Sequence, residues 1–382
     1  MEENLVFAGF CAVLLAAMFG LYLFFGKYRQ HESKKLRWAK ILLGNLLVFV
    51  FVGSLVVLLG EAYFRFCYDT TDSFTLTKTS ARWFERYYRL NNVGVRDNQD
   101  YLSLAPAPGQ RRITFIGDSF TVGHGLRNVD NRFANRIRHR HPEWEVHVMA
   151  QPGLDSGAEL RLMKQLVEGN YEFDQVVLVY CLNDIDDVTP EWNERYAKIN
   201  KRLRRQRPSF LFEHSFLLNT IYYRMWMFAF PEISDYYRCD REAYAGAPWE
   251  AHTPRLKAMR DLVRSHGGQL SVVTFPFLHL IGPDYEFRVV HRQLNDFWRS
   301  IEVPHLDLLP VFAPYPPRKL TVNRYDAHPN EFANALAADS IARFLEEQIR
   351  LRSRGAGSAD QNVGLPIFCH EFLPRFERHL GG

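Results

Sequence analysis

Cysteine is scarce in this sequence. The 382 residues hold five (Cys11, Cys67, Cys181, Cys239 and Cys369), with no C-x-x-C pair and none beside histidine at metal-ligand spacing. That excludes a zinc ribbon and a dithiol redox centre. Cys11 lies in an apolar run and reads as packing; the other four allow three full pairings in an oxidising compartment, and spacing does not choose among them. Excess charge of one sign is also missing. A net charge of +4 is too small to argue for a nucleic-acid partner, and much of the excess sits in two local runs, 27–40 and 198–207. There is no internal repeat and no G-x-S-x-G elbow, and Gly123-His124-Gly125 lacks the third glycine and the position of a dinucleotide loop. No cofactor and no metal is expected.

What is present is a folded composition, 47% hydrophobic and 24% charged, and two long apolar runs near the start. Residues 5–25 carry no charge, and residues 41–59 hold Asn45 as their one strongly polar side chain. Each is long enough to cross the roughly 30 Å hydrocarbon core as a helix. Between them, 26–40 holds Lys27, Arg29, Lys34, Lys35, Arg37 and Lys40 against Glu32 alone. The positive-inside rule puts that loop in the cytoplasm, and both the amino terminus and everything after Leu59 outside it. A cleaved signal peptide fits less well, because the first residues, MEEN, are acidic and no small-x-small site precedes the basic loop. Residues 1–60 are therefore expected to be a two-helix anchor in a bacterial inner membrane, and 61–110, aromatic and basic, a juxtamembrane segment.

Periodic elements begin after the Pro-rich stretch 105–109. Strands are expected at 112–117, 145–150, 175–180, 269–275 and 305–308, and helices near 131–141, 156–168, 254–266, 284–300 and 330–350. Alternation at this spacing implies right-handed crossovers and a parallel sheet covered on both faces. The domain is set at 111–350, interrupted by an insertion at about 186–253, with a tail at 351–382. Within the insertion, 198–207 is basic and reads as a solvated face. Residues 210–230 are strongly apolar but contain Glu213, His214 and Arg224, and a third span there would split the chain across the membrane. They read as a lid or a membrane-apposed helix.

The chemistry gathers at strand ends. Ile113 to Ile116 stop at Gly117-Asp118-Ser119, which leaves a serine at the carboxyl end of a strand, where sites in open α/β sheets lie. A serine hydroxyl needs a base to take its proton and donors for the oxyanion. Gly153, in Gln151-Pro152-Gly153, follows the second strand; Asn183-Asp184 follows the third; Asp326-Ala327-His328-Pro329-Asn330 is expected to open the last helix. Each alone is turn or cap chemistry. Asp118 reads as a brace for the turn, and His124 and His147 as surface or packing residues.

In this order the segments resemble the blocks of the SGNH, or GDSL-type, hydrolase family: Gly117-Asp118-Ser119, then Gly153, then Asn183-Asp184, then Asp326 and His328. Asn92-Val93-Gly94-Val95-Arg96-Asp97 also resembles a segment that precedes the first block in bacterial members. The resemblance spans roughly residues 91–350. It implies a flavodoxin-like three-layer α/β/α sandwich with Ser119 as nucleophile, His328 as general base and Asp326 as its orienter. The oxyanion hole would comprise the N–H groups of Ser119 and Gly153 and the side chain of Asn183.

Two positions depart from the family pattern. Cys181 stands where block three usually begins with glycine, and the last block reads D-x-H in place of D-x-x-H, with Tyr325 where the aspartate would be. Should Asp326 not orient the base, a Ser–His dyad aided by a backbone carbonyl remains. The expected activity is extracytoplasmic hydrolysis of carboxylic esters, with acetyl esters on an envelope or exported polysaccharide as the expected substrate. The alternatives are O-acetyl transfer to a glycan, lipid ester hydrolysis, and a non-catalytic glycan-binding or scaffold module of an export complex.

Overall fold

The computed structural model describes residues 2–27, 34–106, 109–186, 209–229 and 231–356, and isolated positions between 188 and 201. Most of the 198–207 run, part of the 26–40 loop and nearly all of the 351–382 tail lie outside the described residues.

Two helices open the chain, α1 (Glu2–Lys27) and α2 (Lys34–Ala62). They pack against each other as a hairpin, leave most of their apolar side chains exposed, and are long and apolar enough to cross a membrane. A short π-helical turn (Tyr63–Cys67) leads to α3 (Lys78–Tyr87). The next elements are β1 (Arg111–Gly117), α4 (Ser119–Val122), α5 (Phe133–Arg140), β2 (Trp144–Ala150), α6 (Ser156–Glu168) and β3 (Gln175–Cys181). After the partly described stretch come α7 (Phe210–His214), α8 (Phe216–Ala229), α9 (Pro231–Ala243), α10 (Ala247–Ser265) and β4 (Gln269–Phe275). The chain continues with α11 (Arg288–Ser300), β5 (His305–Asp307), α12 (Leu309–Phe312), α13 (Pro317–Leu320), β6 (Thr321–Asn323), β7 (Asp326–Pro329) and α14 (Glu331–Ala356).

The five long-range strands pair in parallel in the order β2-β1-β3-β4-β5. This is the flavodoxin-like 2-1-3-4-5 order, which reverses direction at the β1/β3 neighbours. β3, QVVLVYC, is buried at all seven positions, as a central strand covered on both faces must be. On one face α6 packs on α10, and α10 on β4. On the other, Asn334 Oδ1 at the start of α14 accepts from Phe133 N of α5 at 3.0 Å.

Strand positions match the sequence reading closely, but several other elements do not. The first helix after the insertion begins at Ala247, so Pro254, expected at its start, lies inside it. The apolar stretch 210–230 breaks at Ser215 into α7 and a 14-residue α8, short of the ~20 residues a span needs. Glu61 at the end of α2 fixes α8: its carboxylate accepts from Ser215 Oγ at 2.6 Å, Phe216 N at 3.0 Å and Leu217 N at 2.9 Å. His328 does not open a helix either; it sits on β7, the second strand of an antiparallel hairpin with β6.

Candidate active site

The site begins where β1 ends. Gly117 has no room for a side chain: a Cβ there would lie 2.8 Å from the Val179 carbonyl oxygen and closer still to Thr121 Oγ1. The chain can therefore turn tightly against β3. Asp118 Oδ1 then accepts from Phe120 N at 2.9 Å, capping α4 and presenting Ser119 at its first position.

His328 Nε2 lies 2.8 Å from Ser119 Oγ, and His328 Nδ1 lies 2.6 Å from Asp326 Oδ1. Asp326 is buried, and burial alone would raise its carboxyl. The facing His328, with His124 and the hydrogen bonds from His328 and Thr71, outweighs burial and holds it below the usual carboxylate range. An ionised carboxylate only accepts, so Nδ1 carries the proton and Nε2 is left to accept from Ser119 Oγ–H. The other oxygen near the hydroxyl, Asp118 Oδ2, is 3.4 Å away. Burial pushes the Asp118 carboxyl up to about 6.

The D-x-H spacing works because both residues lie on a strand, where positions i and i+2 point to the same face. Asp326 Oδ1 takes the His328 backbone N–H at 3.0 Å as well as Nδ1–H. Asp326 Oδ2 takes the Thr71 hydroxyl.

Thr71 was not singled out by sequence reasoning. It belongs to the segment between α2 and α3, and its neighbours bind the hairpin turn closely. Asn323 Nδ2 donates to Thr70 Oγ1 at 2.8 Å and Thr71 O at 3.0 Å, Ser73 N to Tyr325 O at 3.0 Å, and Ala327 N to Ser73 Oγ at 2.9 Å. No local motif flags a lone threonine whose partner is 255 residues away.

His124 is buried, as a packing residue should be, yet what it packs on is His328: the rings stack 4.0 Å apart and 12° from parallel. Trp83 lies behind it at 5.8 Å and 17°, and the Arg96 guanidinium sits 4.9 Å over Trp83. Burial, with His328 alongside, depresses His124 to about 3, so it stays neutral. Its Nε2 is 3.6 Å from Asp326 Oδ2. Ligand atoms of His124, Asp326 and His328 come within 4.8 Å of one another. A cation there would have to break the Nδ1 to Oδ1 hydrogen bond, so this donor set fits a proton path better than a metal.

Gly153 and Asn183 lie in the turns that follow β2 and β3. Gly117 is in register with Ala150 on one side and Val179 on the other, so both turns flank Ser119 at the carboxyl edge of the sheet. Gly153 has φ +77° and open space where a Cβ would be. The Asn183 turn is pinned by Asp184, whose Oδ2 accepts from Cys181 N at 2.9 Å and whose carbonyl accepts from Ser156 N at 2.9 Å. Burial pushes the Cys181 thiol well above its ordinary value, which removes it as a competing nucleophile.

No family model and no curated protein matches the sequence. Solved structures similar to it include an extracellular lipase from Streptomyces rimosus (12% identity, 62% of this chain and 99% of that one, TM-score 0.39). Another is a member of the lipolytic G-D-S-L family from Veillonella parvula (12%, 61% and 97%, TM-score 0.36). A third is a two-domain esterase active on acetylated mannans (14%, 62% and 49%, TM-score 0.34). The likeness is faint, and the chemistry is read from the geometry of Ser119, His328 and Asp326. The solved structures similar to this chain are thus a lipase, a member of the lipolytic G-D-S-L family and an esterase, and the G-D-S-L family is the one that its sequence blocks resemble.

Proposed function

We propose that this protein is a serine esterase of the SGNH type, held at a membrane by α1 and α2. The observation that carries the reading is the unbroken path from Ser119 Oγ through His328 to the buried Asp326 carboxylate. Ser119 Oγ attacks the ester carbonyl while His328 Nε2 takes its proton, and Asp326 stabilises the imidazolium. The Ser119 and Gly153 N–H groups and the Asn183 amide receive the oxyanion. His328 then protonates the leaving alcohol, and water releases the acyl group by the same steps in reverse.

The site faces outward from the membrane on this reading. The amino end of α1 meets the carboxyl end of α2 on the domain side, where Arg65 Nη1 donates to Glu3 O at 2.8 Å and Lys78 pairs with Glu3. Lys27 at the end of α1 and Lys34 at the start of α2 are at the opposite end of the hairpin, and the positive-inside rule assigns the basic sequence that joins them to the cytoplasm. The substrate is then a carboxylic ester outside the cytoplasm, with an acetyl ester of an envelope or exported polysaccharide as the natural candidate. Hydrolysis of 4-nitrophenyl acetate by the full chain in detergent, beside Ser119→Ala, tests this. Activity confined to the unmodified chain supports it, and equal rates in the two overturn the nucleophile.

A further inference from the structure

The turn that carries Asn183 is gripped from behind by the insertion. Tyr244, between α9 and α10, and His252, on α10, both fall within 186–253, the stretch that interrupts the sheet. Both are buried, as are Tyr180 on β3 and Ser156 at the start of α6. Tyr244 OH lies 2.9 Å from Leu182 O and 2.6 Å from Tyr180 OH. Tyr180 OH lies 2.9 Å from His252 Nε2, and His252 Nδ1 lies 3.1 Å from Ser156 Oγ. Ser156 N then donates to Asp184 O at 2.9 Å.

This circuit runs in one direction. A carbonyl oxygen only accepts, so Tyr244 O–H donates to Leu182 O. The Tyr244 oxygen then accepts from Tyr180 O–H, and the Tyr180 oxygen from His252 Nε2–H. Burial depresses His252 to about 3, so its ring is neutral and its bare Nδ1 accepts from Ser156 Oγ–H. Burial also pushes both tyrosine hydroxyls well above their ordinary value, so each keeps the proton its bond needs. A buried network in which every hydrogen has one place is rigid and specifies one arrangement.

Its two ends say what it holds. Leu182 and Asp184 stand on either side of Asn183, and the circuit takes the carbonyl of each. An oxyanion donor has to be aimed before charge develops, and a small displacement of the backbone that carries it is costly.

We propose that Tyr244 is a positioning residue for the reaction: oriented by His252 through Tyr180, it fixes the Asn183 turn so that the amide meets the oxyanion. The proposal rests on the esterase reading. Steady-state hydrolysis of 4-nitrophenyl acetate by the full chain in detergent tests it, with Tyr244→Phe, Asn183→Ala and the two together as a double-mutant cycle. Tyr244→Phe removes a single oxygen and should lower kcat about tenfold with KM changed less than about twofold. In the Asn183→Ala background the same change should cost less than about twofold, because the amide it aims is gone. His252→Phe, which releases the other end of the circuit, should give the same two results. Tyr180→Phe breaks the middle link and is read by the same cycle should either variant fail to fold.

A loss that is as large in the Asn183→Ala background overturns the proposal, since the tyrosine would then act elsewhere. So does a loss confined to KM, or an unchanged kcat in either variant beside a lowered Tm, which would leave the circuit as packing alone. Hydrolysis that depends on Ser119 but not on Tyr244 removes the positioning role and keeps the esterase. No hydrolysis by the unmodified chain removes both.

Discussion

Asp326 and His328 leave the same face of one short strand, and Asp326 Oδ1 serves both the backbone N–H and the ring Nδ1–H of His328. A two-residue spacing thus does what a longer one does from a loop or helix. Lengthening the last block to D-x-x-H by inserting one alanine between Asp326 and His328 would send the carboxylate to the opposite face. Ester hydrolysis should fall roughly 10³- to 10⁴-fold, to the level of Asp326→Asn, which presents the wrong hydrogen-bonding partner to Nδ1. Steady-state kinetics on both variants check this, and near-normal kcat in Asp326→Asn would return the site to a Ser–His dyad.

In the proposed reaction Thr71 would act only through Asp326, as a positioning residue. Thr71→Val leaves a buried carboxylate oxygen unpaired at a cost of about 1–3 kcal/mol. The expected result is a fall of about tenfold or more in kcat with KM little changed. Thr71→Ser should restore most of it. A valine variant with unchanged kcat would remove the role.

His124 gives a signed pH dependence. Its folded value, about 3, lies below the ordinary 6.5. Between these limits the unfolded chain binds the proton and the folded chain does not, so this contribution to stability is full above pH 6.5 and is lost as pH falls. From pH 7 to pH 4.5 the loss approaches about 2–3 kcal/mol. Urea unfolding of the full chain and of His124→Phe at both pH values measures it. The drop should be smaller in the variant by that amount, and equal drops would contradict the assignment.

Glu61 holds α8 to the end of α2 through three donors. Glu61→Ala strands all three at a buried site, a cap loss of about 1–2 kcal/mol or more. Limited proteolysis should cut the variant sooner between residues 209 and 229, and an unchanged cleavage pattern would show that α8 is held by its other contacts.

The sheet was legible in the sequence because each buried strand is a short β-branched run ending at a turn signal, as in β1 and β3. Ser119, Gly153 and Asn183 could be placed at strand ends for the same reason: they lie in the turns after those runs. The β6–β7 hairpin was hidden because its strands are three and four residues long and Pro329 ends the second like a helix start. Thr71 and His124 were beyond reach for a different reason. Their meaning depends on contacts across the fold, and neither composition nor period records those.

Thr71 and Asp326 are 255 residues apart, and Ser119 and His328 are 209 apart. Synthesis runs from the amino end, so a ribosome that has passed Thr71 and Ser119 has most of the sheet still to make before Asp326 and His328 emerge. Throughout that interval the serine has no base and the threonine no carboxylate. On the proposed reading, the growing chain is inert toward esters until the hairpin closes onto the segment that follows α2.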